Sequence, residues 1–205
     1  KGEFYYINFD NLSRSYRFNP LKNVSDKTVL MQLMEDMLLS MQAKDAKQDE
    51  WFAGGLGILR GVAYRLYDEY REYCTIPHIL TLIMNSSQDS LTRFLEQNTI
   101  SEMMAGAFLK AKGSEKTQAS YISTLSNQIA TMATDEKIAW VLSGNDFDFN
   151  LIDPEHPKMF AVSNNFSKNS VYSPVIAMLL SISSRQFTMQ NKVPFVYFLD
   201  EMTTV

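Results

Sequence analysis

The chain has 205 residues, 45% of them hydrophobic and 20% charged, which is the makeup of a globular protein with room for one large domain or two small ones. Its formal charge of −4, from 19 basic and 23 acidic residues, argues against a generally basic surface that coats nucleic acid. Cys74 is the only cysteine and there are two histidines, so there is no intrachain disulfide and no thiolate metal cage, and zinc is not expected.

The first predicted element is a strand, Phe4-Tyr5-Tyr6-Ile7-Asn8-Phe9-Asp10, aromatic and β-branched and ending in a turn at Asp10-Asn11. Arg14 to Leu21 reads as an irregular connector in which Pro20 pushes Asn19 toward an extended conformation. The character then changes. Ser25 or Asp26 caps a helix whose face is Val29, Leu30, Leu33, Met37, Leu38 and Met41. After a polar break at 45–50, Asp49 or Glu50 opens a long helix over about 51–73, with Phe52, Leu56, Leu59, Val62, Ala63, Leu66 and Tyr70 on its buried stripe. Gly54, Gly55, Gly57 and Gly61 each cost about 1 kcal/mol there against alanine, and their helix-compatible reason is close approach by a neighbour. Gly55-Leu56-Gly57 is not a phosphate loop, because no strand precedes it and no Gly-Lys-Ser/Thr follows.

Thr75 caps a short helix with Pro77 in its first turn. Further helices are expected at 89–97, 100–110, 114–134 and 135–142. Residues 25–142 therefore contain no credible strand and read as an all-helical insert able to fold alone, its methionines serving as core filler. Beyond Gly144, Asp146-Phe147-Asp148-Phe149 leads to a strand over 158–164, then to a helix with Ser173 as cap and Pro174 at its first position. Val193 to Leu199 is an almost purely apolar run ending in Asp200-Glu201, and it reads as a strand buried on both faces of a parallel sheet. Strand, helix and strand over 158–199 make a right-handed βαβ unit. Two carboxylates at the carboxyl end of such a strand suit Mg²⁺ and an attacking water in phosphoryl transfer, and equally a solvated tip of a core strand.

Three landmarks in order resemble the type IV secretion coupling proteins, the TraG/TraD-like conjugation ATPases. An aspartate-ended strand is followed by Arg17-Phe18-Asn19-Pro20-Leu21, like that family's F/Y-N-P-L segment; a helical stretch closes with Asp146-Phe147-Asp148-Phe149; and Lys158 to Val162, Ser173-Pro174 and Phe198-Leu199-Asp200-Glu201 look like its strand, helix and Walker B. The resemblance implies an α/β RecA-like P-loop NTPase fragment, mostly α overall because a large all-α domain interrupts it. The implied parts are 1–24 and 146–205 for the nucleotide-binding α/β domain and 25–145 for the all-alpha domain. It implies ATP and Mg²⁺ as cofactors, with Asp200 holding Mg²⁺ through water and Glu201 polarising the attacking water as the catalytic residue. It further implies a homo-hexamer, membrane-anchored on the cytoplasmic side of the bacterial inner membrane. That hexamer would join relaxosome proteins or relaxase, and DNA, to the components of a secretion channel, with the helical insert serving recognition.

Departures bear on activity. No Gly-x-x-x-x-Gly-Lys-Ser/Thr occurs in the sequence, and no apolar run approaches the roughly 20 residues of a membrane helix. The family places both segments upstream of its first strand. The chain starts in one strand-like run and stops after another, which reads as cuts through a larger protein, and it is expected to hydrolyse little ATP alone. Three other readings compete: a channel-energising secretion ATPase, a septum-type DNA translocase, and a non-enzymatic helical adaptor. Lys110, Lys112 and Lys116 flank Gly113 beside Glu115 and read as a solvated turn, whereas Arg60, Arg65 and Arg71 read as surface pairing with Asp68, Glu69 and Glu72. Arg14 and Arg17 read as surface residues, and His78 and His156 as structural ones without visible partners.

Overall fold

The structure, a computed structural model, describes residues 2–42, 46–190 and 194–200. Strand β1 (Glu3–Ile7) is followed by eight helices: α1 (Lys27–Ser40), α2 (Glu50–Glu69), α3 (Ile76–Asn85), α4 (Gln88–Glu96), α5 (Thr99–Met104), α6 (Gly106–Lys110), α7 (Glu115–Thr134) and α8 (Glu136–Leu142). Strand β2 (Lys158–Val162) and helix α9 (Asn169–Gln190) complete the order. Of the cap candidates, Asp26, Asp49 and Thr75 each accept a backbone N–H of the first turn they precede, and Asp135, expected inside α8, caps it in the same way.

Helix α2 runs through the centre of the helical layer, touching α1, α3, α4, α5, α6 and α7. Its glycines allow this. A Cβ on Gly54 would lie 2.2 Å from the Tyr121 ring of α7, and one on Gly57 would lie 2.6 Å from the Met104 carbonyl of α5. Met34, Met37 and Met132 are buried, as core filler should be, while Met103 stays exposed.

Some boundaries move. The long helix stops at Glu69, and Arg71–Tyr73 forms a separate 3-10 turn. The helix expected over 100–110 divides at Ala105 into α5 and α6. Helix α9 starts at Asn169 rather than at Ser173, so Pro174 lies inside it. So close to the start, the missing N–H of Pro174 removes little of the helical ladder.

Three expectations about charge and imidazole partners are corrected. Arg65 makes the expected pair with Glu69, at 3.0 Å, but is buried rather than on the surface: it donates to the Phe94 carbonyl and lies 4.3 Å over the Phe94 ring. Arg60 reaches across to Glu35 of α1 at 2.7 Å, and Arg71 donates to the Lys22 and Val24 carbonyls. His78 meets Thr75 Oγ1 at 2.8 Å, and His156 meets Asp153 at 3.0 Å. Helical spacing alone does not say which flank of a helix another helix will cover.

The larger correction concerns the closing run. The described sheet is β1 beside β2, parallel, in register from Glu3↔Lys158 to Ile7↔Val162. Pro194 to Leu199 forms no strand; Val196 is 91% and Phe198 87% exposed. A strand buried on both faces needs a ladder partner and a layer on each side, and among the described residues this run has neither. The βαβ unit is thus formed only as far as β2 and α9.

Two chain crossings lie side by side between the sheet and the helices. Residue Phe18 bridges Asn145 antiparallel, Phe18 N donates to Val141 O at 2.7 Å, and Asp146 N donates to Arg17 O at 3.0 Å. The Asp146 carboxylate accepts from Arg17 Nη2 at 2.8 Å, Nε at 3.1 Å and the Arg17 backbone N at 2.8 Å. Arg17 is therefore no free surface cation. Alternation in Asp146-Phe147-Asp148-Phe149 puts the aspartates out and the rings in. There Tyr5, Phe18 and Phe160 close an aromatic cluster with centroids 4.4 Å (Tyr5–Phe147), 4.5 Å (Phe18–Phe149) and 4.9 Å (Phe149–Phe160) apart. One core runs from Ile7 through the helices to Leu179, and Asp36 of α1 accepts from Ser181 and Arg185 of α9.

The hydrogen bonds from Arg17 hold the Asp146 carboxyl below the usual carboxylate range, against the opposing effect of partial burial. A folded-state pKa lowered in this way stabilises the fold above the unfolded value and is lost as pH falls through the folded one. Thermal melts of wild type are expected to drop in temperature as pH falls below about 4. Asp146→Asn should show a shallower drop; identical acid slopes would remove this pair from the stability of the fold.

Candidate functional site

Parallel pairing puts the carboxyl ends of β1 and β2 on one edge, where open α/β sheets bind ligands. β1 delivers Asn8, Phe9 and Asp10, and β2 delivers Ser163, Asn164 and Asn165. Ser163 N extends the ladder by donating to Ile7 O at 2.9 Å. Past β1 the chain turns because Asn8 Oδ1 accepts from Asp10 N (2.9 Å) and Asn11 N (3.0 Å), the local capping that asparagine offers a turn. Across the edge, Asn165 Nδ2 donates to Asp10 Oδ1 at 2.8 Å.

Behind this pair, Asn169 at the start of α9 accepts from Asn164 Nδ2 at 2.8 Å and from Ser173 Oγ at 2.6 Å. Asn164 Oδ1 is buried without a hydrogen-bond partner among the described residues, and so is the hydroxyl of Tyr172. The Tyr172 ring is fully buried, stacked on Phe9 at 4.5 Å. Burial, reinforced by Asp135 and Asp10, raises its phenol pKa, so the hydroxyl stays protonated. A buried polar atom left unpaired costs about 1–3 kcal/mol, and two such atoms lie beside this one sheet edge.

Asp200 is exposed in the irregular stretch after Leu199, and Glu201 lies outside the described residues. At the edge itself the structure places Asp10, Asn164 and Asn165. Their signal in the sequence was two strands that each end in small polar residues; what was missing was the knowledge that these strands are neighbours. Among the described residues no three histidine, cysteine, aspartate or glutamate side chains lie close enough to hold a metal. The edge offers acceptors and amides but no glycine-rich run of backbone N–H groups, so by itself it does not supply the cradle for the phosphates of a nucleoside triphosphate. Cys74 is no nucleophile: burial pushes its thiol up to about 11. No described helix is long and apolar enough to cross a membrane.

A family model described as type IV secretory system conjugative DNA transfer matches residues 2–205. Among solved structures, the plasmid coupling protein TrwB in complex with the non-hydrolysable ATP analogue ADPNP aligns over 100% of this chain and 47% of its own, with a TM-score of 0.75 and 14% identity. TrwB with the GTP analogue GDPNP aligns over 100% and 46%, with a TM-score of 0.74 and 13% identity. TrwB with ADP and Mg²⁺ aligns over 95% and 43%, with a TM-score of 0.66 and 13% identity. At these identities the likeness shows the fold. The chain spans about half the length of these structures. A comparison with curated proteins gave no sequence match.

Proposed function

Because the chain belongs to the type IV secretory system conjugative DNA transfer family, we propose that it is part of a coupling protein, an ATPase that powers DNA transfer through a secretion channel. One observation carries this reading. Two parallel strands 150 residues apart pair around a block of helices, in a chain whose fold matches a coupling protein that binds nucleotide analogues and Mg²⁺. In the whole hexameric, membrane-anchored protein, residues 1–24 and 146–205 belong to the RecA-like motor and 25–145 to the all-alpha domain. Asp200 holds Mg²⁺ through water, and Glu201 serves the attacking water. The carboxyl edge at Asp10 and Asn165 forms one wall of the nucleotide site, and the phosphate cradle is supplied from elsewhere in the protein. The helical block recruits relaxosome proteins, and its mixed surface charge favours protein over bare DNA as its direct contact.

The test is a mating assay with the full-length protein. Asp200→Ala is expected to lower transfer frequency by orders of magnitude, and transfer at the wild-type level would overturn the motor assignment. A photo-crosslinking residue at exposed Met103 is expected to capture a relaxosome protein; capture from the α/β part only would move recognition out of the helices.

A further inference from the structure

Two of the segments that carry the likeness to the family, the Asn19-Pro20-Leu21 turn and the Asp146–Phe149 alternation, meet at a second place. Together with α9 they wall an open cleft of about 680 Å³, within the range of about 300–1,000 Å³ usual for ligand sites. It lies toward the amino end of β2, where Lys158 Nζ donates to Asn150 O at 3.1 Å, and so away from the carboxyl edge.

Its frame is rigid. Asn19 is buried, its amide donating to Cys74 O at 2.9 Å and its Oδ1 accepting from Leu21 N at 3.0 Å, which holds the turn that presents Lys22. Gln186 of α9 is used at both ends, by Leu151 N at 3.2 Å and Phe149 O at 2.6 Å. The buried face of Phe147 and the half-buried Ile152 add an apolar floor.

The groups facing this frame are not used by the fold. Lys22 Nζ and the side-chain amides of Asn145 and Asn150 make no hydrogen bond with any described residue. Asp148 gives one oxygen to Asn23 at 2.8 Å and keeps the other. Each asparagine amide both donates and accepts, which matches the N–H and C=O of a peptide unit. Lys22 and Asp148 oppose one another in charge, so the walls lack the positive field that tracks a nucleic-acid backbone. We propose that the cleft binds an extended peptide segment of a protein partner, with Asn145 and Asn150 pairing its main chain and Lys22 receiving an acidic side chain.

A phage-displayed library of random dodecapeptides selected on the 205-residue chain tests this. Enriched peptides are expected to carry an acidic residue. Asn145→Ala with Asn150→Ala should weaken them about tenfold or more, with helical circular dichroism and melting temperature retained, since neither amide holds the fold. Lys22→Glu, at an exposed position, should reverse the preference toward basic peptides, and it is a second variant should the first misfold. Peptides that bind both variants as well as wild type, a library without enrichment, or an oligothymidylate that binds here in place of peptide would each overturn the proposal.

Discussion

In the full-length protein, Glu201→Gln is expected to bind ATP as wild type does and to turn it over about 10²–10⁴-fold more slowly, the share that a positioned general base contributes. The substitution keeps the shape of the side chain and its carbonyl oxygen, so binding, which depends on phosphate and base contacts elsewhere, is left alone. What disappears is the group that accepts a proton from water. Phosphate release measured beside equilibrium nucleotide binding separates the two, and unchanged turnover would remove Glu201 from catalysis. The 205-residue chain is expected to release phosphate at the background rate with or without the change. Its sequence holds no Gly-x-x-x-x-Gly-Lys-Ser/Thr phosphate cradle. This combination distinguishes a motor split between segments from an enzyme complete in this chain.

Gly57→Ala is expected to destabilise the fold by about 1–3 kcal/mol, the range for forced overpacking, although alanine in a helix interior gains about 1 kcal/mol over glycine. Geometry decides the sign. The new methyl would lie 2.6 Å from the Met104 carbonyl and 3.6 Å from the Ala105 Cα. These are backbone atoms at the joint between α5 and α6, which cannot swing aside as a side-chain tip can. Gly106, where a methyl meets nothing within 4 Å, is the control: Gly106→Ala should be neutral or slightly stabilising. Urea midpoints of the three proteins check this. A Gly57→Ala protein as stable as wild type would show that α5 and α6 yield at no cost. Against a typical net stability of about 5–15 kcal/mol, the expected loss is a sizeable part of the whole.

Much of the helical layer was legible before any coordinates. The caps of α1, α2 and α3 were readable to within one residue, Ser25 or Asp26, Asp49 or Glu50, and Thr75, because a cap acts on the three residues after it. The stripe of α2 was readable because it repeats every turn. The glycines of α2 pointed to close neighbours, though not to which ones; Tyr121 and Met104 lie in other helices. The alternation in Asp146-Phe147-Asp148-Phe149 carried a period of two, the mark of an extended segment with one buried face. Its partner, Arg17-Phe18, lies 129 residues away, so no local pattern could join them.

By itself the sequence determined the helices, their caps, the apolar residues of the core and the family, since each rests on residue order within one element or on motifs kept in order along the chain. Only the tertiary structure decided which strands are neighbours, and with that the site. β1 and β2 pair across some 150 residues, so Asp10, Asn164 and Asn165 share an edge, while the apolar run before Asp200 stays out of the sheet. The same six residues, 194–199, make a buried strand or an exposed tail depending on whether a ladder partner and two covering layers are present. Hydrophobicity is a property of the residues, but burial is a property of what surrounds them.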